Sequence, residues 1–286
     1  MRRALIAIVA FGQAASCTIS LAYDIKPKTS ETAFSKLQPD ILGISTDATA
    51  ESARTIFETT FKGHSETKTD IRQEKFGGTA VSYIAALDFK LPSGAKQNGE
   101  ALWSSFTSPA SANRAYYVAR SLTFAQDQQP PKADMIKQVM DKYGAPTIVG
   151  DQHLYYIYRG GKIVSTSVKY KEAAALEALD RPLDPRVAVK LNGPNGQGSC
   201  VAGVKRSQAL EKTLEAMLSE AKGANCDGAL SVQLKPGITP DRVGNAEFTL
   251  VDFKRITSSA AIDGDALAAE KNERLNGTPL GSAPKL

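Results

Sequence analysis

The chain has 286 residues, with 35 Lys and Arg against 30 Asp and Glu, only two histidines and three cysteines. The resulting charge of +5 is dispersed, without basic runs carrying interleaved aromatics, which argues against nucleic-acid binding. Neither histidine has further Cys or His nearby to complete the three or four ligands of a zinc site, so no metal or cofactor is expected.

Met1-Arg2-Arg3 gives a positively charged start, and Ala4 to Phe11 is an unbroken apolar run. Ser20-Leu21-Ala22 then places small residues where a signal peptidase reads, so residues 1–22 are expected to be a secretory signal cut after Ala22. Cleavage leaves 264 residues and, by removing Arg2 and Arg3, lowers the charge from +5 to +3. Two other readings stand beside this one. One is a lipoprotein anchored through Cys17, although Ala14 replaces the usual large aliphatic residue; the other is a retained anchor, whose apolar core is short against the ~20 residues of a membrane span.

Residues 23–40, rich in Lys, Ser, Thr and Pro, read as a flexible spacer. Ile41-Leu42-Gly43-Ile44 opens the folded part, and Ala50, Ala53, Ile56 and Phe57 predict a helix over 49–60. The stretch up to Gly77-Gly78 is polar. Val81 to Leu91 then alternates as the clearest strand, followed by strands around 101–107 and 115–124. Pro130-Pro131 and Gly144 bracket a second helix with Ile136, Val139, Met140 and Tyr143 on its stripe. Leu154 to Arg159 and Lys162 to Tyr170 predict a hairpin turning at Gly160-Gly161.

Residues 181–198, with their Pro and Gly content, read as a hinge; Gly193 to Gly198 lacks the Gly-Lys-Ser/Thr ending of a phosphate loop. A helix over 207–222, strands at 230–234 and 248–253, and a polar helix with a disordered tail over 263–286 complete the chain. The expectation is an α+β fold, helices packed on antiparallel sheet, with a helix-then-strands layout occurring three times. Its division is a 41–180 domain of two such units, the hinge, and a third unit at 199–262.

Export leaves Cys200 and Cys226 as the pair expected to bridge in an oxidising compartment. Residues 200–206 would have to run back extended along the 207–222 helix to close it.

Asp151 and His153 form an Asp-x-His pair with too few neighbours for a metal site, and His64 lies in a polar segment. There is no Gly-x-Ser-x-Gly turn, and no catalytic residue is assigned. In His153-Leu154-Tyr155-Tyr156-Ile157-Tyr158, alternation sets Tyr156 and Tyr158 on one face and His153 and Tyr155 on the other. If the first face is core, His153 and Tyr155 become the candidate binding surface.

Over Ile41 to Phe57 and Asp141 to Pro146 the chain resembles a group of uncharacterised exported proteobacterial proteins. The matching features are a Leu-Gly-Ile strand entering a helix, and Lys142-Tyr143-Gly144-Ala145-Pro146 before a Tyr-rich hairpin. More distantly, both units are similar to modules of the small outer-membrane-assembly lipoproteins and of β-lactamase inhibitor protein. They depart from these in having Ile44-Ser45-Thr46 in place of Gly-Met-Thr. The resemblance implies action by non-catalytic contact with another protein, and no functional residue carries over. The expectation is therefore a periplasmic or secreted binding or adaptor protein partnered by another envelope protein. The alternative is a cell-envelope enzyme acting on cell-wall or glycan material.

Overall fold

The computed structural model of the chain describes residues 25–78, 81–150, 152–164 and 197–277. The expected signal segment with its Ala22 cut and Cys17, the hinge up to residue 196 and the tail after residue 277 lie outside them. Among the described residues, nine strands form one antiparallel sheet, and five helices cover both of its faces.

In chain order, helix α1 (Ala50–Thr60) precedes β1 (Lys68–Phe76), β2 (Val81–Leu91), β3 (Gly99–Phe106) and β4 (Ala115–Thr123). Helix α2 (Lys132–Tyr143) precedes β5 (Ile148–Gly150), β6 (His153–Arg159) and β7 (Lys162–Ile163). Helices α3 (Gln197–Ala209) and α4 (Leu214–Gly223) precede β8 (Gly228–Pro236) and β9 (Val243–Asp252), and α5 (Phe253–Gly277) follows. The fold is thus α+β, and helix-then-strands does occur three times. The strand order is β1-β2-β3-β4-β9-β8-β6-β5, with β7 on β6. The third pair of strands therefore fills the middle of the sheet, and the boundary expected at the hinge does not separate two sheets.

Strand β1 sits in a stretch read as merely polar. It is an edge strand, Lys-Thr-Asp-Ile-Arg-Gln-Glu-Lys-Phe, buried only at Phe76, so alternation had little apolar material to show. Ile41 to Ile44 is a tight turn rather than a strand. Leu42 and Gly43 take φ of 55° and 81°, Ile41 and Ile44 exchange both backbone bonds, and Asp40 accepts the Gly43 N–H at 2.6 Å.

The Lys-Tyr-Gly-x-Pro motif has a structural explanation. Lys142 pairs with Asp40 at 2.8 Å, and the Tyr143 hydroxyl donates to the Asp40 carbonyl. Gly144 ends α2 at φ 81°, and its own carbonyl accepts the Tyr156 hydroxyl at 3.0 Å.

One face of the sheet is closed by α1, α2 and the segment before α1 that carries Phe34, Ile41 and Ile44. The spacer reading of residues 23–40 fails for the described part. Residues 25–40 lack regular structure but bury Ser30, Ala33 and Phe34, the last against Tyr158 edge-on at 4.7 Å. What holds this segment is Asp252, fully buried at the end of β9. Its carboxylate accepts Thr32 Oγ1 at 2.6 Å, Thr46 Oγ1 at 3.2 Å and the Ala33 N–H at 3.1 Å. It also accepts the Arg255 N–H at 2.8 Å, capping α5. Arg255, itself fully buried, reaches Asp47 at 2.5 Å. That cap starts the last helix at Phe253, ten residues before the expected Asp263.

The other face is covered by α3, α4 and α5. Cys200 and Cys226 are bridged with Cα atoms 5.7 Å apart. The route differs from the expected one: residues 200–206 are helical, and α3 and α4 form a helical hairpin that brings the cysteines together. Val201, Ala202 and Val204 fit a helix stripe as readily as a strand, and Gly203 lets α3 approach Ala224 and Phe253, where a Cβ would lie only 3.2 Å from the Phe253 ring. Replacing both cysteines by Ser should cost about 3.5 kcal/mol in the chain-entropy account of a 26-residue loop. Denaturant melts of the variant should match those of the reduced wild type.

Burial pushes the Asp252 carboxyl above the ordinary Asp range, against the opposing pull of Arg255 and its hydrogen-bond donors. An acid shifted this way contributes most to stability while protonated, below about pH 4, and that contribution is lost as the pH rises through its folded value. Arg255→Met leaves the carboxylate buried without its cation, at a cost of about 3–5 kcal/mol. The deficit should be larger at pH 7 than at pH 4 in paired urea titrations.

Candidate functional site

The proposed His153–Tyr155 surface is not a surface. Both residues are buried, 6% and 3% exposed, with their rings stacked 5.2 Å apart. Tyr155 packs with Ile157, Val204 and Met217 in the core beneath α3 and α4, while Tyr156 and Tyr158 face the α1–α2 side. Alternation separates two sides of a strand, and here both sides are covered. Asp151 lies outside the described residues. His64 is exposed, 3.9 Å from Glu66. No cluster of three metal-ligating side chains occurs among the described residues.

A different site lies where the α3–α4 hairpin stops short on the second face. Pairing places Asp88, Trp103, Ala119, Thr249 and Ser231 in one row across β2, β3, β4, β9 and β8. The next row on the same side is Lys90, Ala101, Ser121, Glu247 and Gln233. Small side chains between larger ones leave an open cleft of about 210 Å³, walled by Gln208 and Lys212 from the end of α3 and the turn after it.

Trp103, the single tryptophan of the chain, is half-buried in the floor. Its Nε1–H donates to Ser105 Oγ at 2.9 Å, which fixes the ring. Ser105 Oγ in turn donates to the Lys212 carbonyl at 2.9 Å, joined there by the Tyr116 hydroxyl at 3.0 Å and Arg72 Nη2 at 3.4 Å. Three segments thus hold one carbonyl. The Lys212 ammonium folds back onto the carbonyls of Gln208 and Leu210, ending α3, and stands 6.0 Å over the Trp103 ring. Burial lowers its pKa below the ordinary lysine value; Asp88 opposes that shift and Lys90 adds to it.

Each cleft carboxylate has its own lysine: Asp88 with Lys90 and Glu247 with Lys235, both at 2.6 Å. They stand three strands and one row apart, about 16 Å between Cα atoms at ordinary sheet spacings. Gln208 donates to Thr249 at 2.9 Å and closes the covered end.

Comparison with protein-family models, curated proteins and solved structures finds no match for this chain. Sequence reasoning passed over Trp103. The available signal was a lone tryptophan alternating with Ala101 and Ser105, small residues that leave its ring uncovered. Ser105→Ala removes both the acceptor of Trp103 and a donor to the Lys212 carbonyl. It should cost about 1–3 kcal/mol and shift tryptophan emission to the red, read from melts and spectra of the same samples.

Proposed function

We propose that this chain is an exported, non-catalytic binding protein that engages an envelope component through the Trp103 cleft. Export rests on the basic, apolar and small-residue order of residues 1–22. No described helix is long and apolar enough to cross a membrane. The reading of the site is carried by one observation: a rigidly held aromatic ring floors an open cleft whose acidic groups are each neutralised and do not converge. Hydrolysis of a glycosidic bond by paired carboxylates requires them about 5–9.5 Å apart on either side of the bond. Asp88 and Glu247, leaning to separate lysines on strands three apart, favour contact over that chemistry. Preformed aromatic clefts with a few fixed polar groups are ordinary binding sites. The resemblance to modules that act by contact points the same way.

Ala119 and Ser121 are the small residues that keep the floor open, so Ala119→Phe and Ser121→Tyr should each fill it. Immobilised mature protein exposed to an envelope extract should retain a component that both variants lose while their melting temperatures stay near the wild-type value. Equal capture by the variants would place binding elsewhere. Hydrolysis of a cell-wall preparation that Asp88→Asn or Glu247→Gln abolishes would replace the proposal by the enzyme reading.

A further inference from the structure

We infer that the ligand of this cleft is an uncharged sugar ring within an oligosaccharide, stacked on Trp103; the inference rests on the binding reading above. Three features select this chemistry. The first is size. A cavity of about 150 Å³ accepts a benzene ring, so about 210 Å³, open at one side, has room for one substituted six-membered ring with neighbours extending outward. The second is the floor. Trp103 offers an apolar indole face fixed through Nε1, and its cross-strand neighbour Ala119 stands too low to cover it. Such a face suits the C–H side of a pyranose, whose edge carries hydroxyls.

The third feature is charge. Asp88 and Glu247 are matched by Lys90 and Lys235, and Lys212 stands over the ring with two of its donors already committed to backbone. A cationic ligand is repelled by the Lys212 ammonium, which lies 6.0 Å from the indole centroid. A polyanion is repelled by Asp88 and Glu247 on the floor and must compete with them for Lys90 and Lys235. An uncharged polyol disturbs neither pair. It uses their remaining acceptor and donor capacity, together with Ser121 and the Gln208–Thr249 pair at the covered end.

Trp103 reports on its own site, being the sole tryptophan. Mature protein titrated with triacetylchitotriose, maltotriose and cellotriose should show a saturable change in emission with at least one of them. An open site gripping one ring predicts a dissociation constant on the order of 1 mM. Ala119→Phe and Ser121→Tyr should abolish the change while keeping the indole, and Trp103→Ala should weaken binding by calorimetry at least about tenfold. Sodium chloride should leave the constant unchanged, as expected of an uncharged ligand. The inference is overturned if none of the three trisaccharides saturates, or if the response survives both cleft-filling variants. It is overturned equally if trigalacturonate or a peptide binds in a way those variants block and the neutral sugars do not. If the sugars fail while envelope capture still depends on Ala119 and Ser121, the sugar falls and the binding reading stands; if capture is also indifferent, both fall.

Discussion

The position of the α3–α4 hairpin decides what the second face of the sheet can do. Its turn is held by the Lys212 carbonyl, which takes donors from β1, β3 and β4, and its open end is held by the Cys200–Cys226 bridge. Anchored at both ends, the hairpin cannot slide toward the strand ends and cover Trp103. A half-covered sheet face normally exposes polar residues. Here the uncovered part instead presents an indole between small residues and matched charges. The cleft therefore follows from where the helices stop, without a dedicated loop.

A second constraint works on the opposite side of the molecule. Asp252 collects donors from residues 32, 33, 46 and 255, so the irregular segment at 32–33, the approach to α1 and the start of α5 share one buried carboxylate. Burying a charge is costly unless it is hydrogen-bonded and paired. Asp252 accepts four hydrogen bonds and has Arg255 alongside at 3.6 Å, with Arg255 pairing onward to Asp47. Such a network contributes little net stability over apolar packing, but it allows only one docking register for the irregular segment 25–48. That explains how a stretch rich in Lys, Ser and Thr lies ordered against a core.

These two junctions also mark the limits of sequence reading. Helices α1 and α2, strands β2, β3, β4, β6 and β9, and the Gly160-Gly161 turn were legible because each carries its own periodicity or punctuation. Strand β1 was not, because an exposed edge strand can be almost wholly polar. Helix α3 was hidden because Cys200 to Val204 has small apolar residues compatible with either period. The disulfide was predictable from cysteine arithmetic, while its path was not. His153 and Tyr155 failed as a surface because a strand's pattern tells its two sides apart and says nothing of what another part of the chain lays over them. Trp103 is the converse case. Its alternation places it on a face, yet its exposure depends on Lys212, more than a hundred residues later.

The sheet order carries this dependence on distant chain into assembly. β4 and β6 are neighbours of β9 and β8 and do not pair with each other. Before the last hairpin docks, each presents an unpaired row of N–H and C=O groups, and the core beneath α2 lacks Leu230, Val232 and Leu250. Loop-closure entropy is spent before those distant contacts form, so the centre of the sheet is its latest-closing part. The cleft needs that closure too: its rows run Asp88–Trp103–Ala119–Thr249, and Thr249 comes from β9. The repeated helix-then-strands layout therefore does not imply independent modules. The first unit supplies Trp103, the third supplies the wall and the far floor, and the site exists only in the closed sheet.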